Sequence, residues 1–289
     1  MTTARMPSGT TPHTAAAPTK QLVPRHSALV RVTHWINVFC FSLLLMSGAQ
    51  IFNAHPRLYW GQYGADNDHA WLSVDSLQSS AGWRGVVHVG SLTIESTGLL
   101  GASKEDGALQ PRGFPAWLTI PSYQDLAIGR RWHFFFAWLF VINGAVYLIG
   151  GLVRRHFRRD LLPTKAELAP AHLVHEVVTH AQLNFPKGEA ARRYNVLQKL
   201  SYMGVAFVLL PLMVLTGLTM SPGLDSAFHI LLDVFGGRPS ARSIHFICAS
   251  LLVAFVVVHV VMVLVSGVWN NLRSMITGKY AIEIDGDAK

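Results

Sequence analysis

Four histidines, His34, His133, His245 and His259, lie in stretches that contain no Asp, Glu, Lys or Arg. A polar ring in hydrocarbon is costly unless it is partnered, so a histidine buried in a membrane is by default a candidate functional residue. Neutral imidazole offers one nitrogen lone pair to a metal, while the N–H on the other side of the ring fixes the tautomer. The competing chemistry is transport, in which intramembrane histidines carry protons or metal ions. That use calls for carboxylates, or for helices broken near the midplane. These stretches hold no carboxylate, and their clear interruption, Pro211, lies in the stretch that has no histidine.

The elements that must position these rings follow from composition. The chain has 289 residues, of which 51% are hydrophobic and 14% charged, against about a quarter charged in an ordinary soluble domain. About 20 apolar residues cross a hydrocarbon core of about 30 Å. Residues 32–52, 132–153, 200–220 and 244–268 meet that requirement. The expected fold is therefore an all-α membrane protein, a bundle of four transmembrane helices with a long loop, 53–131, between the first and second. The first 24 residues, rich in Thr, Ala and Pro and lacking an apolar core segment, are expected to be a disordered tail. Residues 281–289 form a C-terminal tail. Cys40 and Cys248 each fall inside a span without C-x-x-C spacing, as small buried apolar residues.

Four spans put both termini on one side. The three segments on that side hold sixteen Lys and Arg, including the run "RRHFRR" at 154–159, and the two opposite loops hold eight. Basic loops stay in the cytoplasm, so both termini are expected inside and loop 53–131 outside. The positive charge is thus a topology signal. No basic patch interleaved with aromatics argues for nucleic acid.

His245 and His259 are fourteen residues apart, close to four helical turns, so both rings share a face about 21 Å apart in depth. His34 opens the first span on the inner side and His133 opens the second on the outer side. The depths therefore match in pairs, His34 with His259 and His133 with His245. Two pairs of imidazoles at two depths in an apolar bundle suit two bis-histidine haem irons stacked across the membrane. Gly48 repeats the fourteen-residue step from His34, and Gly144 lies eleven residues after His133. Glycines there would let a flat macrocycle approach each backbone, or serve ordinary close helix packing. Arg31, Arg130 and Arg131 adjoin the ligand depths, where guanidinium forks suit haem propionates or simply reach water at the boundary.

With these residues in view, the chain resembles the bacterial di-haem cytochrome b561 family, the membrane cytochrome b subunits of nickel-iron hydrogenases, formate dehydrogenases and thiosulfate reductases. The likeness rests on "RHSALVRVTHWINVFCFSLLLMSG", "RRWHFFFAWLFVINGAVYLIGG" and "RSIHFICASLLVAFVVVHVVMV". It implies a di-haem domain over residues 25–280 in the bacterial inner membrane, with the same two ligand pairs. It also implies two b-type haems and electron exchange between a partner enzyme and the quinone pool. The long outer loop, with "HPRLYWGQYG" and "GFPAWLTIPSYQDLAIGRRWHF", is most similar to the thiosulfate-reductase-type branch, often paired with a molybdopterin oxidoreductase. That loop is the expected dock for the external redox subunit, or an aromatic belt at the interface. "RRYNVLQK" at 192–199 offers Tyr194, Asn195, Gln198 and Lys199 as donors to a quinone near the inner haem. The inner loop's His172, His175, Glu176 and His180 match no zinc protease spacing.

The reading is a membrane-anchoring subunit that transfers electrons and leaves substrate chemistry to its partner. A self-standing haem quinone reductase with a small-molecule donor is the alternative, and a histidine-based transporter the more distant one.

Overall fold

A computed structural model describes residues 19–65, 67–80, 82–182, 194–224 and 226–284. Among the described residues, four helices are long and apolar enough to cross a membrane. The first is α1 (Ala28–Asn53), started by Ser27, whose hydroxyl accepts from the Val30 amide. The second is α2 (Leu126–Val153), capped by the Asp125 carboxylate accepting from the Ile128 amide at 2.9 Å. A short α3 (Pro170–Ala181) precedes the third span. That span runs through α4 (Val196–Gly204), a π-helical turn Val205–Leu209 and α5 (Leu210–Met220). After α6 (Ile230–Phe235), the fourth span is α7 (Arg238–Val265). It ends at Val265, three residues short of the expected boundary at 268, and Gly267, with a φ of 106°, turns the chain into α8 (Val268–Thr277). The spans pack as two hairpins, α1 on α2 and α5 on α7.

The expectation of an all-α chain is corrected by strands at both ends of the bundle. Residues 53–131, expected as a long loop, carry most of these strands. Strands β2 (Arg57–Leu58), β3 (Leu72–Ser79), β4 (Gly82–Val89) and β5 (Leu92–Glu95) form an antiparallel sheet in that order, beside a hairpin of β6 (Ala102–Glu105) and β7 (Ala108–Pro111). Phe52, Leu58 and Val74 are its buried centre, with Trp71, Val87, Leu100, Phe114 and Phe246 packed around them. Phe52 ends α1 and Phe246 belongs to α7, and their rings stack at 5.1 Å, so this cap and the bundle share one core. Polar contacts complete the weld. Trp71 Nε1 donates to Ser243 Oγ at 2.9 Å, and Ser243 donates to the Tyr59 carbonyl at 2.6 Å. Arg112, its side chain 1% exposed, is balanced by Glu105 at 3.0 Å, the Phe114 carbonyl at 2.9 Å and Thr119 at 3.1 Å. Such a buried cation is tolerated only when its donors are matched this fully.

At the opposite end, β1 (Thr19–Pro24) pairs antiparallel with β8 (Lys279–Ile284). The last residues of the expected N-terminal tail and the first of the expected C-terminal tail are therefore ordered against each other; residues 1–18 and 285–289 lie outside the described residues. The Asn270 side chain closes a two-way hydrogen bond with Ala281 at 2.8 Å in each direction. Trp35 Nε1 donates to the Met275 carbonyl at 3.1 Å, tying α1 to the end of α8. Cys40 and Cys248 are free and buried.

Candidate cofactor site

The two hairpins face each other through the four histidines. His34 on α1 meets His259 on α7 with ring centroids 6.3 Å apart, and His133 on α2 meets His245 on α7, also at 6.3 Å. The second pair lies toward the cap and the first toward the paired termini. A metal–imidazole bond of about 2 Å, plus about 1.1 Å from nitrogen to ring centre, places two axial imidazoles of one metal at about 6.3 Å between centroids. Both pairs have that separation. Among the described residues no group of three or more His, Cys, Asp or Glu converges as a metal site. An ion held by two imidazoles alone lacks most of its coordination sphere, and a macrocycle with its own four nitrogens supplies the remainder. The donor sets fit such a group and no bare-ion site.

The cap-side histidines are held by hydroxyl groups that sequence reasoning missed. Ser47 Oγ lies 3.1 Å from His133 Nδ1, and Thr216 Oγ1 lies 2.9 Å from His245 Nδ1. Each hydroxyl spends its own proton on a carbonyl one turn back, Leu43 at 2.7 Å and Leu212 at 2.6 Å. It must therefore accept from the imidazole, which leaves Nε2 as the nitrogen with the lone pair. A glycine follows each hydroxyl residue. A methyl on Gly48 would stand 3.5 Å from His133 Cε1, and one on Gly217 would stand 3.7 Å from His245 Cε1. Gly48 thus adjoins an imidazole edge, and Gly144 faces open space within 4 Å. The signal available in the sequence was "MSG" on the first span and "LTG" on the third.

The terminus-side pair is framed differently. The Phe255 ring stacks on His259 at 5.9 Å and 16°, and Trp35 meets His34 edge-on at 5.5 Å. One turn along, the buried Asn143 donates to the Thr33 carbonyl at 2.8 Å and to Asn37 at 2.7 Å, locking α2 to α1 beside His34. Arg31 turns to α8, where Nη1 donates to the Ile276 carbonyl; its Nε, like that of Arg25, is buried with no partner among the described residues. Arg130 lies over the Phe134 ring at 5.7 Å, and Arg131 is exposed.

The four candidate quinone residues separate. Asn195 and Gln198 form the capping box that starts α4, with the Gln198 amide donating to Asn195 Oδ1 at 2.9 Å. Lys199 pairs with Glu167 at 2.8 Å, and that pairing holds the carboxylate below its usual range. Tyr194 alone turns inward. Its hydroxyl is 3.3 Å from His26 Nδ1, and its ring meets Tyr202 edge-on at 5.7 Å, which in turn contacts Phe255 at 6.3 Å. A continuous line of side chains thus runs from His26 to His259. Burial raises the Tyr194 phenol above its ordinary value. His172 and Glu176 are 3.9 Å apart; the side chain of His180 lies outside the described residues.

Burial first, and then the charge of Arg25, lowers His26 from 6.5 to about 4, with His34, His156 and Arg31 adding smaller repulsions. The unfolded chain takes up a proton here near pH 6.5 and the folded chain only near pH 4, so stability is lost as pH falls through that window and is flat outside it. The melting temperature of the wild type should fall more steeply between pH 6.5 and 4 than that of His26→Gln. Parallel curves would assign the acid sensitivity elsewhere.

Comparison with known proteins adds two findings. A family model described as prokaryotic cytochrome b561 matches residues 25–278. A protein of Azospira oryzae described as "putative protein-methionine-sulfoxide reductase subunit YedZ1" is 28% identical over 262 residues, covering 90% of this chain and 98% of that protein. No solved structure matches.

Proposed function

The chain belongs to the prokaryotic cytochrome b561 family, and from that premise we propose how its residues divide the work of a multi-pass, haem b-binding electron-transfer subunit of the bacterial inner membrane. His34 with His259, and His133 with His245, are the axial ligands of two b-type haems, which supply one-electron storage and transfer. The observation that carries this reading is the equal 6.3 Å separation of both pairs, at two depths of one helix. The termini are cytoplasmic, and the β-sheet cap faces outward. The unpaired Nε groups of Arg25 and Arg31 serve the propionates on the inner side, and Arg130 and Arg131 serve those on the outer side. Gly48 and Gly144 leave room at the ring edges.

The external partner docks on the cap within 53–131. The resemblance to thiosulfate-reductase-type subunits suggests a molybdopterin oxidoreductase, and the name of the Azospira oryzae relative suggests protein methionine sulfoxide as the final acceptor. Reducing a sulfoxide to a thioether and water consumes two electrons and two protons, so this reading runs electrons outward, from quinol to partner. Quinol binds on the inner side, where Tyr194 and His26 donate to and accept from its oxygens. Asn195, Gln198 and Lys199 shape that end through the cap and the ion pair.

The test uses purified, haem-loaded protein and a short-chain quinol, with haem reduction followed optically. Wild type should be reduced. Tyr194→Phe should be about tenfold slower, the effect of one lost hydrogen bond of about 1.4 kcal/mol, with unchanged reduction by dithionite. Equal rates would remove Tyr194 from the site. No reduction of wild type by any quinol would remove the quinone from the reading.

A further inference from the structure

The two histidine pairs differ in what stands behind them. On the cap side, both rings meet a buried hydroxyl whose proton is already committed to the backbone. Ser47 and Thr216 are each 0% exposed, so no water reaches the Nδ1–H of His133 or His245, and the Leu44 and Met213 carbonyls are the other acceptors beside each ring. The device is built twice, a hydroxyl residue followed by glycine, on α1 toward α2 and on α5 toward α7. On the terminus side, neither His34 nor His259 has a hydrogen-bond partner among the described residues. Aromatic rings, Trp35 and Phe255, are their neighbours. An acceptor on Nδ1–H draws that proton away and makes Nε2 a stronger donor, which favours the more oxidised metal.

We infer that Ser47 and Thr216 are positioning residues that make the cap-side centre the harder of the two to reduce. This rests on the two-centre reading proposed above. Acting through His133 and His245, they leave an electron resting on the terminus-side centre and make the cap-side centre a relay. The order of filling is then set by two hydroxyl groups and not by the ligand types, which are identical.

Serine and threonine commonly bond back to the carbonyl four residues earlier in membrane helices, so a purely structural role must be distinguishable. The experiment is an optical redox titration of the full chain in detergent, with haem per chain quantified. The single-centre variant His245→Ala assigns the steps. Ser47→Ala and Thr216→Val should keep both haems and the upper midpoint while raising the lower one toward it, and the double variant should bring the two steps closest. Ser47→Thr and Thr216→Ser, which restore a hydroxyl, should titrate like wild type. If Thr216→Val fails to load the cap-side haem, Thr216→Cys, with a weaker acceptor of similar size, should give a smaller rise in the same step. Unmoved midpoints in haem-replete variants, or movement of the upper step alone, would overturn the inference and leave the two-centre reading intact. A wild type with one haem or none would overturn both.

Discussion

Replacing His259 with alanine is expected to take the purified protein from two haems per chain to one, and replacing His34 should remove the same haem. His133→Ala and His245→Ala should both remove the other. The expectation follows from the geometry of the pairs: each pair has one histidine from α7 and one from the opposing hairpin, at 6.3 Å between ring centroids. A second alanine within a pair should cost nothing more, because a centre already lost cannot be lost twice, whereas one alanine in each pair should leave no haem. Non-additivity within pairs and additivity across them is the signature of residues that act as units. Extracted haem per chain, read beside the reduced-minus-oxidised spectrum, decides it. Full haem content in His259→Ala, or loss of both haems in every single variant, would break the pairing.

Gly85→Val should unfold the cap. A Cβ at Gly85 would stand 1.9 Å from the Leu100 carbonyl oxygen and 2.6 Å from the Ala102 nitrogen, both backbone atoms. Neither can yield without opening the turn that Gly101 holds through its amide to Gly113 at 3.1 Å and its carbonyl to Arg112 at 3.0 Å. A clash of this kind belongs to the rare class costing about 4 kcal/mol or more. Limited proteolysis should then cut within 53–131, while the terminus-side haem, about 21 Å deeper by helical rise, remains. Electron delivery to a cap-docked partner should be lost and reduction of the terminus-side haem by quinol kept. Wild-type protease resistance would show that the sheet closes without needing glycine there.

The parts of this molecule legible in the sequence were those governed by one strong physical term. Exclusion of charge from hydrocarbon marked the apolar middle of four long helices, whose ends run up to six residues beyond it, and helical rise brought His34 opposite His259 and His133 opposite His245. The cap was not legible. Its strands alternate weakly, as in Leu72–Ser79, where Ser76 and Gln78 break the face that Leu72 and Val74 begin, and its core borrows Phe52 and Phe246 from the bundle. The terminal strands pair across some 255 residues of chain, a contact that local pattern does not signal. Asn195, Gln198 and Lys199 carry hydrogen-bonding groups that suit a ligand as well as a cap or an ion pair. In the fold, Asn195 and Gln198 close the start of α4 and Lys199 meets Glu167.

The fourteen residues between His245 and His259 have an electrical consequence. Their rise of about 21 Å spans roughly two-thirds of a hydrocarbon core of about 30 Å. An electron passing between centres held at those depths moves charge through most of the membrane's insulating layer. One charge carried fully across 100 mV is worth about 2.3 kcal/mol, so the step carries about 1.5 kcal/mol of voltage dependence. In the orientation proposed here, an inside-negative potential drives the electron outward and resists its return. The energised membrane then acts as a rectifier in series with the protein, and the rate of partner reduction should rise with the voltage across the vesicle.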